Sequence, residues 1–105
     1  MKQKDYEIAK ELKGRLSEVV PLIDFRVFGS RARGGAEEDA DMDIFLEVET
    51  IDKNIQDKIS HIVWEVSFNN CIFISSLVFT KDEIENSPLR VSPIVKNIFE
   101  EGITI

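Results

Sequence analysis

One cysteine, three prolines and a single histidine in 105 residues exclude several kinds of protein. A lone thiol, Cys71, cannot form an internal disulfide, and it reads as a small buried hydrophobe. One histidine, His61, with no cysteine or second histidine beside it makes a poor transition-metal site. No apolar run is long enough to span a membrane and no signal-peptide pattern is present, so the expectation is a cytoplasmic protein without membrane association. Basic residues are in the minority, 13 Lys and Arg against 20 Asp and Glu, which gives a formal net charge of −7. Polyanions are bound by clustered Lys and Arg, so a nucleic-acid partner is not expected. Repeats, low-complexity tracts and linkers are also missing. A chain of 105 residues with 43% hydrophobic content can build one core but not a second substrate-binding module, which predicts a single domain over 1–105.

The informative stretch runs from Phe28 to Phe45, FGSRARGGAEEDADMDIF. Residues 23–28 read as a short apolar strand, so Gly29 and Ser30 sit where a strand gives way to a tight turn. Glycine lets the backbone approach a ligand closely, and turn N–H groups together with a serine hydroxyl can donate to phosphoryl oxygens. Ser30 is expected to cap a short helical turn through Arg31 and Ala32. Arg31 and Arg33 are then candidate phosphate contacts, since the guanidinium fork binds phosphate bidentately. The alternative for both is an ion pair with the Glu37-Glu38-Asp39 run, which itself reads as a solvated loop. Separated from Ser30 by ten residues, Asp41 and Asp43 open a second apolar run through Val48. Positions i and i+2 of a strand share a face, so two carboxylates point the same way at one strand end. Unpaired they would repel, and a shared hard divalent cation that also holds a substrate phosphate resolves this.

GSRARG followed at this distance by DMD resembles the signature of the nucleotidyltransferase superfamily that includes DNA polymerase beta and kanamycin nucleotidyltransferase, and most of all its minimal, single-domain MNT members. The resemblance implies Mg2+ held on ATP by Asp41 and Asp43 as the catalytic and metal-binding pair. Gly29, Ser30, Arg31 and Arg33 would contact the nucleotide, with Gly29 and Ser30 on its terminal phosphates and Arg33 offsetting charge on the leaving pyrophosphate. Active members of the superfamily usually carry a third carboxylate on the strand that here reads 71–79, CIFISSLVF; this chain offers Ser75 and Ser76 there, and the nearest downstream acids are Asp82 and Glu83. Three functions follow from the resemblance. The chain adenylylates a partner protein as the antitoxin of a helical HEPN ribonuclease, or it is a catalytically weak nucleotide-binding antitoxin acting by covering its partner, or it is a small-molecule transferase completed by another subunit.

The rest of the chain supplies a scaffold. Ile8, Leu12, Leu16 and Val19 predict an amphipathic helix over about 4–20, closed by Pro21. Residues 51–68 predict a second helix whose core stripe is Ile51, Ile55, Ile59, Ile62, Val63 and Val66. His61, Trp64 and Phe68 recur on the other side of that helix, and two large aromatics there require either cover from this chain or a protein partner or second copy. The run 71–79 reads as a central or near-central buried strand. Ser92-Pro93 starts a last helix with Val91, Val95 and Ile98 on its apolar face, Gly102 ends it, and 103–105 can add an edge strand. The expected fold is α/β (α+β), a mixed sheet of about four strands with helices largely on one face.

Overall fold

A computed structural model describes residues 1–35, 37 and 39–105; Glu38, expected in the acidic loop, lies outside them. Helix α1 (Gln3–Val19) buries Ile8, Ala9, Leu12 and Leu16. It stops because Val20, the residue before Pro21, takes an extended conformation. Val19 stands outside the buried stripe, 42% exposed, and Val20 just beyond the helix is buried in its place.

Strand β1 (Leu22–Phe28) leads into the short helix α2 (Gly29–Arg33), and β2 (Met42–Val48) follows. Helix α3 (Lys53–Asn70) starts at Asp52, whose carboxylate accepts from the Ile55 N–H at 2.8 Å. It crosses to β3 (Ile74–Thr80), then come α4 (Lys81–Asn86), a 3-10 turn (Pro88–Val91), α5 (Pro93–Glu101) and β4 (Ile103–Thr104). The sheet order is β3-β2-β1-β4; β2 and β3 are parallel, and the β1 pairings with β2 and β4 are antiparallel. A parallel neighbour requires a crossover, and α3 provides it. The α+β fold with a four-stranded mixed sheet is therefore as expected, β4 included.

β2 is buried on both faces. Met42, Ile44, Leu46 and Val48 join Phe25 and Val27 of β1 in a core covered by α1 and α3. Phe45 points the other way, its ring 5.7 Å from Phe79 of β3 and 5.3 Å from Phe99 of α5. Truncating Phe45 to alanine would cost about 3–5 kcal/mol, because both faces of β2 are packed.

Two expectations are corrected. β3 is an edge strand, half-buried over most of its length, and not central. Cys71 is exposed: it ends α3 in the left-handed region at φ 54, outside the strand.

Candidate functional site

Antiparallel pairing of β1 with β2 sets Phe28 opposite Asp43, so the chain leaves β1 into Gly29 where β2 begins. Gly29 has φ +75, and a Cβ there would stand 2.5 Å from Oδ2 of Asp43. The Gly-Ser turn and the second aspartate are thus in direct apposition, across a gap only glycine leaves open. Asp41 stands exposed just ahead of the strand, while Asp43 is partly buried. Burial, and after it the charge of Asp41, pushes the Asp43 carboxyl above the ordinary carboxylate range. That mutual repulsion is what a shared cation would relieve.

The short helix begins differently from expectation. Phe28 is its N-cap and offers no side-chain bond, so Ser30 lies within the first turn. The N–H groups of Gly29 and Ser30 therefore have no intrahelical acceptor, and Gly29 stands beside the Asp43 carboxylate.

Arg31 and Arg33 part company. Arg33 is exposed at the end of α2. Arg31 is buried: its Nη1 donates to Oδ1 of Asp5 at 2.7 Å and its Nε to the Ala40 carbonyl at 2.8 Å. The expectation of Arg31 as a phosphate contact is corrected on this point, because its guanidinium ties α1 to the turn and to the residue before Asp41. Among the described residues its carboxylate partner is Asp5. Asp5 was legible in principle: it shares the spacing of Ile8, Leu12 and Leu16, a carboxylate within an apolar stripe.

Among the described residues, no group of three or more His, Cys, Asp or Glu is placed to hold a metal ion. Asp41 and Asp43, two residues apart, are hard oxygen ligands of the type that suits a divalent cation. Ser75 lies opposite Asp43 in the parallel register, and paired residues share a face, so Ser75 and not Ser76 occupies the position facing the aspartates. Asp82 and Glu83 are remote. They follow Thr80, which pairs with Val48 at the other end of the strand; five residues of rise put them roughly 16 Å away. Glu83 is moreover engaged in a capping box with Thr80.

Of the predicted aromatic surface, Trp64 and Phe68 come together, stacked with centroids 5.4 Å apart and exposed by 62% and 70%. No other part of the chain covers them among the described residues. His61 turns aside toward Glu65, 3.4 Å away. The sequence reading missed Phe73, 80% exposed, which joins them along an open groove of about 720 Å³ between α3 and the start of β3. No helix among the described residues is long and apolar enough to cross a membrane.

No curated protein matches the chain. Among solved structures, the chain is similar to a Sulfolobus solfataricus protein provisionally assigned as a nucleotidyltransferase, with a TM-score of 0.58 and 20% identity over 96% of this chain and 78% of that one. At that identity the likeness speaks for the fold. The sequence model described as the nucleotidyltransferase domain matches residues 8–105, nearly the whole length. That match spans the Gly-Ser turn, both aspartates and all four strands, and the chain belongs to the nucleotidyltransferase domain family.

Proposed function

We propose that this chain binds Mg-ATP at Gly29, Ser30, Asp41 and Asp43 and transfers AMP to a hydroxyl of a partner protein in the cytoplasm. The observation that carries the reading is the apposition of Gly29 and the Asp43 carboxylate, with no room for a Cβ between them. Nucleotidyltransferase domains generally use divalent metal ions. When bound here, such an ion offsets triphosphate charge and lowers the pKa of the attacking hydroxyl. The chain's own work is positioning. Asp41 and Asp43 would hold the ion, the N–H groups of Gly29 and Ser30 with the Ser30 hydroxyl would orient terminal phosphates, and exposed Arg33 would meet charge on the leaving pyrophosphate. The acceptor oxygen bonds to the α-phosphorus as the bond from that phosphorus to the pyrophosphate oxygen breaks, and the hydroxyl proton passes to solvent. Net charge of −7 supports a protein acceptor over a nucleic acid. The resemblance to minimal nucleotidyltransferases supports an antitoxin role beside a helical HEPN-type partner.

A second reading, slow catalysis with intact nucleotide binding, is favoured by one observation: a neutral serine stands opposite Asp43. Labelled ATP, the co-expressed neighbouring protein and this chain decide between the two. Brisk AMP incorporation, lost in Asp41→Asn with Asp43→Asn, supports transfer. Trace incorporation that Ser75→Asp raises supports the weak enzyme, and labelling that survives loss of both aspartates overturns the site.

A further inference from the structure

We infer that the chain forms a twofold-symmetric dimer in which β3 pairs antiparallel with β3 of a second copy and the groove of Trp64, Phe68 and Phe73 closes between the two α3 helices. β3 is a sheet edge, and its outer side pairs with no strand among the described residues. Exposed edges are normally guarded by charge, proline, a bulge or shortness. Ile74–Thr80, ISSLVFT, has none of these: seven residues without a charge, a proline or a glycine, in unbroken register with β2. The opposite edge, β4, is two residues long and guarded by that shortness.

The groove opens beside this same edge, along the α3 side of the sheet. A strand pairing with its own copy about a twofold axis continues the sheet and sets both α3 helices on one face. Each groove then faces the other protomer's Trp64 and Phe68. Charge selects the occupant. The chain carries a net charge of −7, yet residues 66–80 contain no charged side chain, so two copies meet here without confronting like charges. A basic partner would find no carboxylate in that segment. Area agrees as well: Trp64, Phe68 and Phe73 together expose on the order of 400 Å², about half of the ~800 Å² each side gives to a standard interface. The strand edge and the groove walls supply the remainder.

The test is the mass of the full chain in sedimentation equilibrium at tens of micromolar, without nucleotide, so that its outcome is separate from that of the nucleotide site. The expected mass is twice the 12.0 kDa of one chain. Trp64→Glu with Phe68→Glu, both at exposed positions and checked for native circular dichroism, should weaken association at least ~100-fold, in line with loss of two central aromatic anchors. Hydrogen exchange gives an independent readout: β3 amides of the parent are protected in the dimer and exchange faster in the variant. A parent that stays monomeric overturns the inference, including the case in which it then captures a different protein through the groove. So does a dimer that keeps its mass and its β3 protection in the double variant.

Discussion

Gly29 is constrained twice over, by a positive φ and by the Asp43 carboxylate standing where its Cβ would be. Gly29→Ala must strain the backbone by about 1–2 kcal/mol and displace the aspartate. Nucleotidyl transfer should fall at least ~100-fold, the scale of an ångström of misplacement at a reacting centre; transfer within a few-fold of the parent would remove Gly29 from the site. Asp43 makes a second prediction, on stability. Its folded pKa is raised by burial and then by Asp41, so the protonated form is the one the fold favours. That contribution is fully present below the ordinary aspartate range and is lost as pH rises through the raised value. At neutral pH without metal, Asp43 therefore opposes folding. Asp43→Asn should melt higher than the parent at pH 7 in chelator, lose that advantage below the ordinary aspartate range, and respond less to added magnesium. A lower melting temperature at pH 7 would contradict this. At this scale much was readable: the face of Asp43 follows from strand alternation and the turn from the glycine, while Asp41 stands just ahead of the strand, where alternation does not fix its face. Arg31 was not, because an arginine beside a phosphate turn and one tied to a distant helix look alike until Asp5 is seen beside it.

A buried latch ties three parts of the fold together. Arg31 on α2 holds Asp5 on α1 and the carbonyl of Ala40, fixing the approach to β2 relative to the turn after β1. Asp5→Ala removes the Asp5 carboxylate from a buried guanidinium, which should cost about 3 kcal/mol and lower the melting temperature by roughly 12 °C or more. Asp5→Leu with Arg31→Met should recover most of that loss, since matched apolar replacement of a buried pair is often neutral. Thermal melts of the three proteins check it, and a single variant within about 1 kcal/mol of the parent would show the latch to be idle. Both long helices were legible from their apolar spacing, and the β2 run from its continuous hydrophobicity. The position of β3 was not. CIFISSLVF has the composition of a strand covered on both sides, and nothing local distinguishes cover supplied within the chain from cover supplied from outside it. The exposed Cys71 follows from the same boundary: Asn70 ends a helix that runs two residues past Phe68, and the turn into β3 begins there.

Across the whole molecule, the proposed function asks an acidic chain of net charge −7 to receive a triphosphate, which its mean field repels. Binding must then come from local donors and from a cation, and it should depend steeply on that cation. The sheet face of the proposed site follows from register: Phe28, Asp43 and Ser75 align across β1, β2 and β3, on the side away from α1 and α3. The aspartate-to-turn spacing could be read directly, whereas the alignment of Ser75 needed the strands paired. The measurement that bears most directly on the nucleotide site is calorimetric titration of ATP into the parent and into Asp41→Asn with Asp43→Asn, each with magnesium and with chelator. The parent with magnesium should bind more tightly than millimolar, and binding should weaken at least ~10-fold, about 1.4 kcal/mol, when either the metal or the two carboxylates are removed. Equal affinity in all four titrations, or none tighter than millimolar in any, would contradict a nucleotide site built from Gly29, Ser30, Asp41 and Asp43.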